Sequence, residues 1–505
     1  MDEGPYRTIG IIGGGTAGYL TALGLRRARP ELRVTLIESP EIPIIGVGEA
    51  TTPLLVKFLH AYLGKDPWDL FRRVDVTWKL GIRFEWGRPG AYFFNYAFDA
   101  GAVLEGNLYE SDPNAYSLGS MLMSQDRVPI LREGAGLTSL LDKVSLAYHL
   151  DNEKFVRYLR EEALKDGVER LERTVRTVNV TPDGSAVEGI VTDDGVTREF
   201  DLYVDCSGFR SALLEGALGS QFISYADSLF TDTAVVASVP HGGHIKPYTV
   251  AETMEAGWCW NIPTVVDDHR GYVFSSSYLS VEEAETEMRR KNPGMGEVQR
   301  VVKFRSGRHE EFWRGNVVAV GNSYGFVEPL ESTGIHMIVH EVNQLCLNLP
   351  ERKGTTAIQR VVNRKLNAHW DEIRWFLSVH YKFNQRSKSA FWRECNAKVD
   401  ISGAADRVGF FQERAPLTYR QSMFWSPEQI FTDFAYDVML LGQKVPAQYL
   451  KPQEQRGPWT RRRDEIAATA RKALSHEEAV AALQQSPPAV LRQMLTKPGS
   501  WVTWP

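Results

Sequence analysis

Lys79 stands in VTWKLGIRF (76 to 84), a strand-like stretch dominated by apolar and aromatic residues. Burying an ammonium is costly unless it is paired or its pKa falls, and an amine held that way is a hydrogen-bond donor or a nucleophile. The plain alternative is a surface lysine whose stem lies along apolar neighbours. A second chemical stretch is WCWNIP, residues 258 to 263. In an extended strand the side chains at i and i+2 project from one face, so Trp258 and Trp260 form one aromatic wall while Cys259 points away. Such a wall either packs a core or separates two chambers. The third is the turn GGGTAG, in which Gly13, Gly15 and Gly18 enclose Thr16 and Ala17 with G-x-G-x-x-G spacing, and Glu38 follows Gly18 by twenty residues. Gly13 permits the tight turn, Gly15 lets a pyrophosphate approach the backbone, and Gly18 lets helix and strand pack closely. Glu38 is placed to accept from a ribose hydroxyl. This pattern predicts dinucleotide binding without distinguishing FAD from NAD.

Other stretches carry competing readings. GNSYG (321 to 325) matches G-x-S-x-G, and Asp433 and His476 follow in the order a Ser323 hydrolase would need. His336 and His340 are spaced i, i+4 on a predicted helix, which permits metal ligation, but no carboxylate motif completes a site and no metal is expected. Gly46, Gly48, Glu49 and Ala50, in GVGEATTP, form either a second cofactor strap or a flexible turn.

These residues need elements to hold them. Thr8 to Ile12, the helical Ala17 to Ala28 and Arg33 to Ile37 make a βαβ unit. Strand-rich sequence continues to about residue 275, and aromatic helices dominate from about residue 335. The expected fold is α/β: a Rossmann-like dinucleotide-binding body over 1–350 with interleaved strands, and a helical C-terminal region over 351–505. The 505 residues are 43% hydrophobic with a net charge of -5, which gives no electrostatic reason to bind nucleic acid or an anionic membrane. No run is apolar enough to span a bilayer, and the acidic start, MDEGPYRTIGII, lacks the basic segment of a signal peptide. Four scattered cysteines fit a reduced, cytoplasmic chain.

Eight stretches together resemble the flavin-dependent tryptophan-halogenase family, in that family's order: GGGTAG, GVGEATTP (46 to 53), TWKLGIRFEWG (77 to 87), AYHLDNEKFVRYL (147 to 159), DCSGFR (205 to 210), GWCWNIP (257 to 263), GNSYGFVEPLESTGIH (321 to 336) and HYKFNQRSKSAFW (380 to 392). The resemblance implies that the body over 1–350 is FAD-binding and of the aromatic-monooxygenase type, with substrate-side strands and a substrate pocket that the helices of 351–505 close. It implies FAD, delivered as FADH2 by a separate reductase, which with molecular oxygen and chloride or bromide yields hypohalous acid. It implies that the oxidant passes from flavin to Lys79 and halogenates an electron-rich indolic or phenolic arene. Glu331 matches the second catalytic residue, Thr333 and Gly334 the halide-binding amides, and Trp258, Trp260, Ile262 and Pro263 the partition between flavin and substrate.

The substrate end is less faithful to that family. Members acting on free tryptophan carry a histidine near AYFFNYAFD (91 to 99), and this chain has none there. Phe93, Phe94, Tyr96 and Phe98 are the candidates for an aromatic slot, with Tyr436 and Asp437 the nearest counterparts of groups that grip an amino-acid backbone. A small aromatic substrate and a homodimer are expected. The competing flavoenzyme is a hydroxylating monooxygenase, in which flavin reaches the substrate directly and neither the tryptophan wall nor Lys79 has a task.

Overall fold

The computed structural model describes residues 4–43, 48–98, 112–134, 136–420, 424, 429–450 and 456–485. The chain forms two compact units, each assembled from three segments. The first comprises Met1–Val47, Asp151–Tyr225 and Arg305–Asp371; the second comprises Gly48–Leu150, Ala226–Phe304 and Glu372–Pro505. The change of sequence character near residue 350 therefore falls inside the first unit and does not divide the two.

The first unit is built on a six-stranded sheet. Thr8–Ile12 lies at its centre between Arg33–Glu38 and Leu202–Asp205, parallel to both, and Val317–Ala319 extends the parallel set. The central strand, TIGII, is buried from Ile9 to Ile12, with the Phe200 ring lying against Gly10. The helix Thr16–Ala28 follows directly and packs against Thr333–Asn348 and Asn152–Lys165.

A seven-stranded sheet dominates the second unit, in the order Arg300–Lys303, Thr233–Val239, Asp268–Phe274, Gly257–Pro263, Thr249–Met254, Gly81–Glu85, Phe94–Ala97. The tryptophan strand, Gly257–Pro263, is buried at all seven positions. Its residue Cys259 joins a core with Val235, Ala237, Met254, Tyr272, Phe274 and Met288, so Trp258 and Trp260 take the opposite face, as the period of two requires. A three-stranded sheet in the order Gly48–Ala50, Ala147–Asp151, Thr77–Lys79 carries the lysine at the end of an edge strand. Among the described residues no helix is long and apolar enough to cross a membrane.

Candidate active site

In the first unit, the glycine turn has the geometry a dinucleotide needs. Gly13 sits at φ 124°, a left-handed region that favours glycine, and a Cβ there would lie 2.2 Å from the Cys206 carbonyl. A Cβ on Gly18 would lie 1.9 Å from the Gly13 carbonyl, whereas one on Gly15 would meet nothing within 4 Å. Turn and packing thus account for Gly13 and Gly18, and the space above Gly15 is left for a ligand. Gly15 is also the N-cap of Thr16–Ala28 and supplies no side-chain oxygen, so the amides of the first turn remain for an anion. Thr16 donates its hydroxyl hydrogen to Asn152 (3.0 Å), and Ala17 lies against the turn at Gly321. At the end of its strand Glu38 accepts from the Tyr19 hydroxyl at 3.0 Å and pairs with Arg170. Each carboxylate oxygen can accept more than one hydrogen bond, so Glu38 retains capacity for a ribose hydroxyl. These residues fit FAD.

The same unit holds the acidic loop. Glu331 ends a short 3-10 turn, Pro329–Glu331, and is 3% exposed. Ser332 follows in the left-handed region (φ 57°) and swings the chain into the helix Thr333–Asn348, which has no side-chain cap. Buried Thr333 Oγ1 has no hydrogen-bond partner among the described residues, while Gly334 is exposed and a Cβ on it would meet nothing within 4 Å. Uncapped amides, an orphaned hydroxyl and open space together fit an anion such as a halide.

Ser323 is no hydrolase nucleophile. Its hydroxyl donates to the Gly208 carbonyl at 3.2 Å, His476 Nε2 accepts from the Trp78 amide at 2.9 Å, and Asp433 pairs with Arg407 at 3.4 Å. The supposed triad is consumed by three separate local tasks. His340 Nε2 lies 2.6 Å from His369 Nδ1, and among the described residues no group of His, Cys, Asp or Glu could hold a metal ion.

GNSYG instead serves as a turn held by Glu341, whose buried carboxyl accepts from the Gly321 amide (2.7 Å) and from Trp370 Nε1 (3.0 Å). Burial pushes this carboxyl up to about 8. An acid whose folded pKa is raised binds more protons folded than unfolded, so its contribution to stability declines as pH rises from about 4.5 to about 8. Urea unfolding across that window is expected to show this decline in the wild type and a flatter profile in Glu341→Gln.

In the second unit Lys79 is fully buried, contrary to the surface-lysine alternative. Its Nζ stands 5.2 Å from the centroid of the Phe98 ring, whose negative face favours the charged amine. The tryptophan rings lie 6.0 Å apart at 58°, and Trp260 rests directly over Gly271, where a Cβ would lie 1.9 Å from the indole. Both indole N–H groups are buried without a hydrogen-bond partner among the described residues. On the same strand Ile262 and Pro263 are buried, and the Pro263 carbonyl accepts from Thr77 Oγ1 at 2.6 Å, tying the tryptophan strand to the lysine strand.

The four aromatics expected to form one slot are divided by the pleat. Phe94 is fully buried, stacks on Phe84 at 5.2 Å and packs against Gly442, which makes it core. Phe93 takes the other face with the Arg83 guanidinium 4.4 Å from its ring, while Tyr96 lies 6.4 Å from Phe434. Of the four, Phe98 is the one the structure brings to Lys79. Tyr436 is fully buried, edge-on to Phe376 at 5.0 Å, with burial pushing its hydroxyl pKa upward. Asp437 is fully buried and accepts from the Leu417 amide (2.7 Å), the Thr418 amide (2.9 Å) and the Thr418 hydroxyl (2.8 Å), a structural task. In the stretch read as either a second cofactor strap or a flexible turn, Gly48 donates to His269 Nδ1 at 2.9 Å, Gly48–Ala50 forms a strand, and burial pushes the Glu49 carboxyl up to about 7. Gly46 lies outside the described residues.

Sequence reasoning missed three residues here. His149 is fully enclosed, with Nδ1 3.2 Å from Thr77 Oγ1 and Nε2 2.9 Å from Thr249 Oγ1; it lies within AYHLDNEKF, where its position opposite Thr77 depends on strand register. Thr77 itself, two residues before Lys79, carries a period-of-two signal only. His476 enters the motif order solely as a hydrolase base, and nothing in its neighbourhood of sequence points to Trp78.

A parallel sheet with a glycine turn open to a pyrophosphate, in a chain that also buries a lysine and a tryptophan strand, defines the dinucleotide-binding class of α/β protein. The family model described as tryptophan halogenase matches residues 8–458, and the chain belongs to that family. It is 35% identical to the 7-chloro-L-tryptophan 6-halogenase KtzR of Kutzneria sp. (strain 744), over 81% of this chain and 85% of that one. It is 32% identical to the tryptophan 7-halogenase RebH of Lentzea aerocolonigenes, over 81% and 82%. Among solved structures it resembles MibH, a lanthipeptide tryptophan 5-halogenase, with TM-score 0.92 and 46% identity, covering 99% of this chain and 97% of that one. It also resembles BrvH, a flavin-dependent halogenase from Brevundimonas sp. BAL3, with TM-score 0.84 and 29% identity over 95% and 99%. The chain is thus an FADH2-dependent halogenase of an aromatic substrate, using halide and oxygen and served by a separate flavin reductase; the hydroxylating alternative is not favoured.

Proposed function

We propose that Lys79 and Glu331 carry the halogen transfer and that the arene is the indole of a tryptophan within a peptide. FADH2, oxygen and halide, when bound, supply hypohalous acid. Thr333 and Gly334 offer their amides to the halide, and the Trp258 and Trp260 wall, with Ile262 and Pro263 further along the same strand, keeps the arene from the flavin. The Lys79 ammonium donates a hydrogen bond to the oxygen of hypohalous acid. As the ring carbon attacks the halogen, the oxygen–halogen bond breaks, the carbon–halogen bond forms, and the departing hydroxide takes a proton from Lys79 to leave as water. Glu331 accepts the proton lost by the cationic ring, restoring aromaticity. A buried, fixed donor and base act where water would otherwise screen them.

The observation that carries the peptide reading is Asp437. Its carboxylate, the nearest counterpart of a group gripping a free amino acid, is occupied by the Leu417 and Thr418 amides and the Thr418 hydroxyl. The near-complete coverage of a lanthipeptide halogenase supports the same reading. With FAD, a reductase, NADH and bromide or chloride, kcat/KM for tryptophan-containing peptides is expected to exceed that for free tryptophan by about a hundredfold, a difference of about 3 kcal/mol in transition-state binding. Equal or better turnover of free tryptophan, read by product mass, would refute the peptide assignment while leaving Lys79 and Glu331 in place.

A further inference from the structure

The strand Thr77–Lys79 is paired on one side only, by Ala147–Asp151. Along an antiparallel pair, alternate residues turn their N–H away from the partner, so an edge strand leaves such a donor without a sheet acceptor. Here the donor is the Trp78 amide, next to Lys79, and it is met by His476 Nε2 at 2.9 Å. The two rings also touch, with centroids 5.5 Å apart, and His476 is 1% exposed.

His476 lies beyond residue 458, where the match to the family model ends. It is the first residue of the helix His476–Gln484, whose start is secured by a Ser475–Glu478 capping box. The segment before it is laced to the rest of the second unit: Leu474 donates to the Ile130 carbonyl at 2.9 Å and accepts from the Val128 amide at 3.0 Å. The Glu477 carboxylate receives the Ile245 amide. On the other flank, Thr77 is held by its bond to Pro263 and by His149. Lys79 therefore follows two residues whose backbone and side chain are clamped from opposite sides.

We infer that His476 is a positioning residue for Lys79, delivered by the C-terminal segment, and that it fixes the direction in which the lysine leaves its strand. This rests on Lys79 being the catalytic amine. A fixed acceptor on the preceding amide sets the peptide plane, and a misplacement of about 1 Å in a reacting group can lower a rate by about a hundredfold.

The test compares His476→Ala, His476→Gln and His476→Asn in the full chain. A glutamine places its carbonyl oxygen where Nε2 stood; an asparagine reaches only as far as Nδ1. Halogenated product per FADH2 consumed is expected to fall by about tenfold or more in the alanine and asparagine variants, equivalent to about 1.4 kcal/mol of barrier, and to recover to within about threefold of wild type in glutamine. Free hypohalous acid caught by a scavenger should rise as product falls, because the oxidant is still made. FAD affinity by flavin fluorescence and KM for the arene should stay within about twofold. Equal yields in glutamine and asparagine, or wild-type yield in alanine, would overturn the inference; the glutamine–asparagine pair decides even if the alanine variant does not fold. Lys79→Ala run in parallel isolates the premise: persistent halogenation there would remove the reading beneath this inference and not the His476 contact itself.

Discussion

Lys79→Met is expected to lose halogenation by about three orders of magnitude, the scale of a positioned proton donor acting with its electrostatic effect. Methionine matches the lysine stem in length and apolar character, so the packing against Phe98 persists while the charge goes. Because the side chain is fully buried, removing the ammonium also removes its desolvation penalty, which offsets the attraction to the Phe98 ring that goes with it. The melting temperature should therefore stay within a few degrees of wild type, about the shift that 1 kcal/mol produces in a chain of this size. FAD binding and flavin reoxidation should be unchanged, since the nucleotide turn belongs to the first unit and Lys79 to the second. Product formation at wild-type rate would remove Lys79 from the chemistry; loss of product with loss of folding would assign it to structure.

Gly15→Val and Gly18→Ala should separate ligand space from packing space. At Gly15 the backbone is extended (φ -85°, ψ -170°) and a Cβ meets no atom within 4 Å, so the substitution should fold with a melting temperature near wild type. The added side chain then occupies the room into which a pyrophosphate must come, and FAD affinity is expected to fall by about a hundredfold or more, about 3 kcal/mol. At Gly18 the added Cβ would lie 1.9 Å from the Gly13 carbonyl, so helix and strand must move apart. That variant should lose stability by about 2 kcal/mol or more even without cofactor, the range of overpacked sites. Fluorescence titration and thermal unfolding of both variants provide the comparison. A Gly15→Val protein that binds FAD normally would contradict the placement of the pyrophosphate.

Local chemistry was legible in the chain itself. The βαβ unit and the roles of its glycines follow from residue type and spacing, because backbone sterics at Gly13 and close approach at Gly18 act within a few residues. The shared face of Trp258 and Trp260, with Cys259 turned into the core, follows from the period of a strand. The same period separates Phe93 from Phe94, which the single aromatic slot expected from sequence did not take into account, and which of the aromatics meets Lys79 depended on where the chain bends after Ala97. What only the tertiary structure decided were hydrogen bonds between residues far apart in sequence: His149 with Thr77 and Thr249, Asp437 with the amides of 417 and 418, and His476 with Trp78 across a separation of 398 residues. Spacing carries no information about such pairs, because a hydrogen bond to a buried amide is selected by the three-dimensional position of an orphaned donor. His476 shows the difference: motif order made it a base for Ser323, whereas strand pairing left the Trp78 amide unsatisfied and the fold brought the imidazole to it.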